Sequence, residues 1–144
     1  MTDKIEIYTD GACLGNPGKG GYGAILMYKG HKKEVSGGEK DTTNNRMEMR
    51  AAIEALRSLK KSSEVIIYTD SKYVMDGITS WIVAWKKNNW RNSHRQPVKN
   101  CDLWKDLDEE VAKHKIKWVW VKGHSGNHYN ELVDELARKA AEEV

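Results

Sequence analysis

The chain has 144 residues, of which 39% are hydrophobic and 31% charged, and its net charge at pH 7 is +3. This length suits one domain with a hydrophobic core, and no apolar run is long enough for a transmembrane helix. We therefore expect a cytoplasmic protein without membrane contact, whose two cysteines, lacking a CxxC pairing, remain free thiols.

The first predicted strand covers residues 4–10 and ends in Ile-Tyr-Thr-Asp, a tetrapeptide that recurs at Ile67–Asp70. Each copy closes an apolar run and precedes a turn or a helix start, which is typical of a strand that ends in a carboxylate. In neighbouring parallel strands, Asp10 and Asp70 would lie roughly 4.8 Å apart and would repel each other without a cation between them. The repeat therefore indicates a metal site at a sheet edge, although ordinary Asp caps would give the same pattern.

The stretch 11–23 is rich in glycine and matches neither a Walker loop nor a dinucleotide-binding fingerprint. It leads into a predicted hairpin with strands over 22–28 and 31–36, joined by a turn at Lys29-Gly30. With the first strand, this hairpin predicts a three-stranded antiparallel meander.

A helix over about 44–60 follows, with N-cap chemistry supplied by residues 41–45. Glu48 shares the inward-facing stripe of this helix. A carboxylate that points at the core needs a partner, which is either a metal ion or one of the neighbours Arg46 and Arg50.

The remaining chain predicts two more strands and several helical segments. These are a strand over 64–69, a helix from Ser71 to about Trp81, a second helical piece, a helix over 100–113, a strand over 116–120 and a helix over 127–142. We expect a single α/β domain with a five-stranded mixed sheet flanked by helices.

Four carboxylates then converge on one location: Asp10 and Asp70 at strand ends, and Glu48 and Asp134 on inward helix faces. Oxygen ligands without cysteine favour Mg²⁺ or Mn²⁺ over zinc, and four acids around two such ions suit phosphodiester hydrolysis. The alternative is that Asp10 and Asp70 are caps and that Asp134 pairs with Arg138 at i+4.

The segment 81–99, named the basic segment from here on, lies within a stretch without acidic residues between Asp76 and Asp102. Its basic residues and its indoles, with Trp104 just beyond, are Lys86, Lys87, Arg91, Arg95, Lys99, Trp81, Trp85 and Trp90. Cations interleaved with indoles favour a polyanion with stackable bases, whereas inward-packed tryptophans on a solvated helix are the alternative.

The tetrapeptide Gly123-His124-Ser125-Gly126 separates the last strand from the last helix. Its glycines predict a mobile loop, and His124 could move protons near neutral pH. The spacing of His124 and His128 also suits zinc, but no cysteine or third histidine is near them.

The chain resembles bacterial type 1 ribonuclease H over essentially its full length. The matching segments are Tyr8-Thr9-Asp10-Gly11-Ala12, Asn44-Asn45-Arg46-Met47-Glu48-Met49, Tyr68-Thr69-Asp70-Ser71-Lys72-Tyr73-Val74, Gly123-His124-Ser125-Gly126, Asn130-Glu131 and Asp134-Glu135-Leu136-Ala137. Each segment alone is common, but all of them in this order and spacing are specific.

The resemblance implies a ribonuclease H-like fold, with one catalytic domain over 1–144 whose basic segment matches the family's basic protrusion. It implies endonucleolytic cleavage of the RNA strand of an RNA/DNA hybrid, leaving 5′-phosphate and 3′-hydroxyl ends. Two Mg²⁺ ions per site with substrate are implied, with Mn²⁺ as an alternative. The implied partner is the hybrid alone, for a monomer with no obligate protein partner.

The resemblance also implies roles for individual residues. Asp10 would bridge both metals, Asp70 would bind the ion on the nucleophile side, and Glu48 and Asp134 the other ion. Glu48 would also contact a ribose 2′-hydroxyl, and His124 would assist proton transfer or product release.

The implied nucleic-acid contacts fall into four groups. The hybrid would be contacted by Asn16, Asn44, Asn45 and Lys72. A pocket for a DNA-strand phosphate would consist of Thr43 and Asn100, and the neighbouring channel would be lined by Trp81 and Trp104. The backbone would be bound by the basic segment through Trp85, Lys86, Lys87, Trp90, Arg91 and Lys99.

Two other functions compete with hybrid cleavage. One is a nuclease or strand-transfer enzyme of the same fold that acts on DNA. The other is a catalytically silent nucleic-acid-binding module, which would gain nothing from four acids close to phosphates.

Overall fold

A computed structural model of the chain describes residues 4–122 and 128–144, which fold around a five-stranded sheet. The strands are β1 (Ile5–Cys13), β2 (Gly18–Tyr28), β3 (His31–Thr42), β4 (Glu64–Thr69) and β5 (Lys115–Trp120). They lie in the order β3-β2-β1-β4-β5. The first three strands pair antiparallel, whereas β4 runs parallel to β1 and β5 parallel to β4, which confirms the predicted mixed sheet.

Five α-helices accompany the sheet: α1 (Asn44–Arg57), α2 (Lys72–Asp76), α3 (Ile82–Lys87), α4 (Cys101–Val111) and α5 (His128–Glu142). A π-helical segment, Gly77–Trp81, joins α2 to α3, so the helix predicted from Ser71 to Trp81 changes its hydrogen-bonding pattern halfway. Among the described residues, no helix has both the length and the apolar character needed to cross a membrane.

The two faces of the sheet carry separate cores because successive side chains of a strand point to opposite sides. Ile7 belongs to the larger core, which includes Met49 of α1 and Leu107 of α4. Its neighbour Tyr8 packs in a smaller core with Val133 of α5. Strand β1 is therefore enclosed by α1 on one face and α5 on the other, and its carboxyl end lies between them.

The glycine-rich stretch 11–23 is largely strand, since β1 continues to Cys13 and β2 begins at Gly18. The predicted start of this second strand at Tyr22 was therefore too late. A Cβ on Gly21 would collide with main-chain atoms of Ala137 and Ala141. Glycine in β2 thus allows α5 to lie directly against the sheet. This requirement comes from tertiary packing, whereas in the sequence alone the same glycines predict a loop.

The two copies of the repeated tetrapeptide lie side by side in the sheet. Ile7 pairs with Ile67 and Tyr8 with Tyr68 across the parallel β1–β4 ladder. The prediction that the two strands are neighbours is confirmed, and both strands run in register toward Asp10 and Asp70.

Candidate active site

The site begins at the carboxyl half of β1, where Gly11 lies against the first turns of α1. The Gly11 amide donates hydrogen bonds to Asp10 Oδ1 at 2.9 Å and to Glu48 Oε1 at 2.5 Å. A Cβ on Gly11 would overlap the Glu48 nitrogen and lie 2.6 Å from the Met47 carbonyl carbon. The missing side chain therefore lets α1 approach β1 closely enough to bring Glu48 to Asp10.

Three of the four predicted carboxylates form a tight cluster. Asp10, Glu48 and Asp70 each offer an oxygen, and these oxygens all lie within 4.8 Å of one another. Asp10 and Glu48 are only 8% and 5% exposed, whereas Asp70, just beyond the end of β4, is more accessible. The parallel pairing of β1 with β4 and the close approach of α1 produce this arrangement.

The electrostatics of the cluster are unfavourable without a cation. The pKa of Asp10 is raised to about 6, mainly by burial. A hydrogen bond with Glu48 opposes this rise, and the nearby charge of Asp70 adds to it. Burial and the hydrogen bond with Asp10 raise the pKa of Glu48 well above its usual range. Within the described part of the chain, Glu48 Oε2 is buried without a hydrogen-bond partner.

A buried carboxylate oxygen without a hydrogen-bond partner needs a cation or a donor. Several carboxylate oxygens this close together provide the ligands that a hard divalent cation prefers. All the clustered donors are oxygens, which suit Mg²⁺ or Mn²⁺ better than zinc. The residues present therefore fit the predicted metal, which would favour the ionised forms of Asp10 and Glu48.

Asp134 lines the same cleft as Asp10 and Asp70 but lies outside the tight cluster. Its Oδ2 accepts a hydrogen bond at 3.1 Å from Nε of Arg138, one turn later on α5. The ion pair between Asp134 and Arg138 that was considered as an alternative is therefore present. The Asp134 carboxylate still faces the cleft that it shares with the other acids. Arg138 lines this cleft as well.

The alternative partners considered for Glu48 are engaged elsewhere. Arg46 binds Asp102 through two hydrogen bonds, of 3.0 and 2.7 Å, and Arg50 pairs with Glu39 at 2.7 Å. The interpretation of Glu48 as an ion-pair partner of either arginine is wrong in this structure. Its carboxylate turns instead toward β1.

A broad groove extends from the carboxylates past the predicted nucleic-acid contacts. Asn44, Asn45 and Lys72 line it together with Asp10 and Glu48. Asn16 lies at its rim, where its Oδ1 accepts a 3.1 Å hydrogen bond from the Asn44 amide. The loop between β1 and β2 is thereby connected to the start of α1.

Thr43 and Asn100 are brought together through Arg46, which the sequence analysis did not select for this role. Thr43 caps α1 by accepting a 3.3 Å hydrogen bond from the Arg46 amide, and the Arg46 guanidinium donates to Asn100 Oδ1 at 3.2 Å. Asn100 also donates to the Tyr73 hydroxyl at 3.0 Å. Hydrogen bonds thus connect Thr43, Arg46, Asn100 and Tyr73, and the predicted role of Thr43 and Asn100 as a phosphate pocket stays a prediction.

The indoles of the basic segment form a chain that runs inward. Trp81 is 41% exposed and contacts Trp85 at a centroid distance of 6.0 Å, and Trp85 contacts Trp104 at 5.3 Å. Trp104 is 0% exposed, so its predicted direct contact with nucleic acid needs correction. It fills the space over Gly77 and supports the other indoles from below.

The cations of the basic segment are not equivalent. Lys86 reaches back to Asp108 of α4, with a distance of 3.1 Å between Nζ and Oδ2. Lys86 is nevertheless exposed to solvent, as are Lys87, Arg91 and Lys99. The cationic surface predicted for the segment is therefore accessible, but Asp108 offsets part of the charge at Lys86.

Relatives of the chain share one family. A model of the RNase H family matches residues 2–142. Ribonuclease H of Aeromonas salmonicida (strain A449) is 62% identical over 141 residues, which cover 98% of this chain and 92% of that protein. The chain belongs to the RNase H family. Ribonuclease H of Pseudomonas putida (strain W619) is 56% identical and covers 100% of this chain and 97% of its own length.

Solved structures of RNase H proteins have the same fold. LC9-RNase H1, described as a type 1 RNase H with the type 2 active-site motif, superposes with a TM-score of 0.88 at 34% identity, covering 99% of this chain and 74% of that one. LC11-RNase H1, solved in complex with an RNA/DNA hybrid, shows a fold likeness with a TM-score of 0.75 at 24% identity, covering 97% and 98% of the two chains.

One predicted RNase H site residue lies outside the described residues, and one residue at the site was missed. His124 belongs to the range 123–127, so the structure does not test its predicted position. Trp120, at the end of β5, donates a hydrogen bond from its indole to the main-chain oxygen of Asp70 at 3.2 Å. The alternation of β5 was recognised, but the position of Trp120 beside Asp70 depends on the pairing of β4 with β5.

Proposed function

We propose that this member of the RNase H family is an endonuclease that hydrolyses the RNA strand of RNA/DNA hybrids with Mg²⁺, or with Mn²⁺ in its place. The observation that carries the proposal is the cluster of Asp10, Glu48 and Asp70, whose ligand oxygens lie within 4.8 Å at one end of an open groove. Such a cluster suits a reaction on a phosphodiester, where positive charge must be concentrated beside a polyanion.

In the proposed reaction, a water oxygen attacks the RNA phosphorus and the bond between phosphorus and the 3′-oxygen breaks. The 3′-oxygen takes up a proton, so the products carry a 3′-hydroxyl and a 5′-phosphate. Two divalent ions, when bound, supply the charge that activates the water and stabilises the leaving oxygen. Asp10 would contribute to both ion positions, Asp70 to the first, and Glu48 and Asp134 to the second.

Two features support the order of these roles. Asp10 is the central member of the site, because it adjoins Glu48 through Gly11 and shares a cleft with Asp70 and Asp134. Asp134 is outside the tight cluster and already has a cationic partner in Arg138, so it suits a more adaptable ligand position.

Selection of RNA would depend on recognition of the 2′-hydroxyl, the group that distinguishes RNA from DNA. Glu48, Asn44 and Asn45 line the same groove and provide acceptors and amide donors for the sugar edge of the RNA strand. The curated relatives carry the name Ribonuclease H, which supports this substrate. LC11-RNase H1 shows that this fold accommodates a hybrid.

The basic segment would hold the phosphate backbone at a distance from the reacting bond. Its exposed cations lie in a stretch without acidic residues, so phosphates would meet little opposing charge there. Trp81, exposed at the edge of the indole chain, offers a surface for the sugar–base portion of the strand. Thr43 and Asn100, linked through Arg46, would bind one further phosphate.

For His124 we propose a part in proton transfer to the leaving oxygen or in product release. We also propose that the working unit is a monomer with a single catalytic domain. Sedimentation of the protein with and without hybrid tests this assignment, and a stable dimer of the free protein would contradict it.

One assay decides between the candidate functions. Strand-labelled RNA/DNA hybrid, duplex RNA and duplex DNA are incubated with the protein in Mg²⁺ or EDTA. We expect cleavage of hybrid RNA alone, only with Mg²⁺, and fragments that a ligase joins without prior phosphorylation. Equal cleavage of duplex DNA would indicate a DNA nuclease, and retention of intact hybrid would indicate a binding module.

A further inference from the structure

Trp120 occupies a position next to the carboxylate cluster that none of the assigned roles uses. It ends β5 and is the register partner of Thr69, the last residue of β4. Trp120 is 41% exposed and lies at the end of the edge strand of the sheet, close to the carboxylate cluster. An exposed indole with specific polar contacts calls for an explanation beyond core packing.

The first of these contacts holds the main chain of Asp70. Beyond the end of β4, the Thr69 carbonyl still accepts a 2.9 Å hydrogen bond from the Val121 amide. The next carbonyl, of Asp70, accepts the 3.2 Å hydrogen bond from the Trp120 indole. The indole thereby extends the β4–β5 pairing by one residue, and this residue is the one that carries the metal-binding carboxylate.

The second contact holds Lys72. Its Nζ lies 4.6 Å from the centroid of the Trp120 ring, a cation–π distance. Lys72 lines the groove together with Asp10, Glu48 and Asp70. A long cationic side chain two residues from Asp70 could fold onto the carboxylates, where it would compete with a divalent ion.

We propose that Trp120 is a positioning residue that fixes the main chain of Asp70 and keeps the Lys72 ammonium on the indole face, away from the carboxylates. The indole N–H acts on the main chain of Asp70, and the ring face acts on the Lys72 ammonium. Lys72 is thus held at the rim of the groove, where its charge faces incoming phosphates. The inference rests on the proposed metal-dependent function, because its consequence is the affinity of the site for Mg²⁺.

Three variants separate the two contacts. Trp120→Phe retains a ring face but removes the N–H, Trp120→Leu removes both, and Trp118→Phe is the matched control on the same strand, where Trp118 packs against the larger core. Mg²⁺ alone is titrated into each protein by NMR in the absence of nucleic acid, and thermal melting confirms that each variant is folded. The loss of one hydrogen bond predicts an increase in the Kd for Mg²⁺ of about 2-fold to 10-fold in Trp120→Phe.

Trp120→Leu should weaken Mg²⁺ binding further, because Lys72 is released toward the carboxylates. In that background Lys72→Gln should restore the Kd to the value of Trp120→Phe. In the parent protein, Mg²⁺ should shift the indole N–H resonance of Trp120 and leave that of Trp118 in place. Trp118→Phe should retain the parent Kd.

Unchanged Mg²⁺ affinity in both folded Trp120 variants would overturn the inference, as would an indole resonance of Trp120 that ignores Mg²⁺. This failure is distinguishable from a failure of the proposed function. If the parent binds Mg²⁺ but does not cut hybrid RNA, the proposed function fails while the titration still decides the part played by Trp120. If the parent binds no Mg²⁺, both fail.

Discussion

Tyr8 and Tyr68 are register partners on the parallel strands β1 and β4, and their rings stack with centroids 4.6 Å apart and an interplanar angle of 11°. Each tyrosine precedes an acid of the site by two residues, Asp10 in one strand and Asp70 in the other. Since a slip of one residue would turn every side chain to the opposite face, the stacked pair helps to keep both acids at the same level. The repeated tetrapeptide thus has a structural reason in the alignment of two acids of the proposed metal site.

Replacing Asp10 by asparagine should remove activity without removing substrate binding. The site would lose the ligand nearest to all the others, and a loss of several kcal/mol in transition-state stabilisation corresponds to roughly a 1,000-fold lower kcat. The measurement is single-turnover cleavage of hybrid RNA, with binding followed by fluorescence anisotropy. Asp106→Asn, on α4 away from the groove, is the control and should retain the parent kcat.

The pH dependence of stability should carry the signature of Asp10 when metal is removed. Because its pKa is raised to about 6 in the folded protein, the folded state binds protons more tightly than the unfolded state. This contribution is fully present below the unfolded pKa of about 3.8 and is lost as pH rises through 6, an effect on the order of 2–3 kcal/mol.

Urea unfolding in EDTA at pH 5 and pH 7.5 measures the part of this effect that is lost between these two pH values, about 1.4 kcal/mol, as the difference between the parent and Asp10→Asn. The comparison cancels the contribution of His114 to the pH dependence of stability. Burial lowers the pKa of His114, so its contribution to stability increases as pH rises, opposite to that of Asp10. The variant should gain stability over the parent at pH 7.5 relative to pH 5, and Mg²⁺ should remove most of that gain. A difference that does not depend on pH would contradict the electrostatic account of the cluster.

The two neighbouring lysines of the basic segment should differ in their effect on hybrid binding. Both lysines are exposed, but Lys86 is paired with Asp108, with 3.1 Å between Nζ and Oδ2. Lys87→Gln should raise KM and reduce the slope of log Kd against log salt by about 0.9, the value for one phosphate contact. Lys86→Gln should change both less, and Lys60→Gln, remote from the groove, should change neither. Equal effects of all three would show that the segment acts only through net charge.

Gly11→Ala should disturb the site through its geometry. The added methyl group would overlap the Glu48 amide nitrogen, so α1 must move away from β1. We expect a loss of about 1–3 kcal/mol in the free energy of unfolding, together with weaker Mg²⁺ binding. Gly30→Ala is the control, because it introduces strain at a φ of +80° but no contact within 4 Å, and it should leave Mg²⁺ binding unchanged.

Much of the site was predictable because its ligands follow from simple periodicities. Asp10 and Asp70 end strands of matching sequence, and Glu48 lies on the inward stripe of an amphipathic helix. Chain topology then requires a crossover helix between parallel strands, which places Glu48 near both. These inferences depend on spacing along the chain, and the structure confirms that the three residues meet.

Other features depend on contacts between distant residues. Trp104 is sequestered because Gly77, in the π-helical segment, leaves room for its ring. Trp120 meets Asp70 only because β5 pairs with β4 in a register that the sequence does not specify. The early start of β2 escaped prediction because its glycines reflect close tertiary contacts, with α5 at Gly21 and Gly23 and with Thr42 and Met47 at Gly20.

The place of β1 in the middle of the sheet also has a kinetic consequence. Over residues 6–8 its hydrogen-bonding groups are paired with β2 on one side and β4 on the other, so the amides of this part can exchange with solvent only when the sheet itself opens. The exposed turns of the basic segment that follow α3 lie outside the sheet and can open without that event. The strand that leads to Asp10 should therefore persist as long as the folded state, whereas the exposed turns of the basic segment, the proposed surface for the nucleic acid, can fluctuate independently.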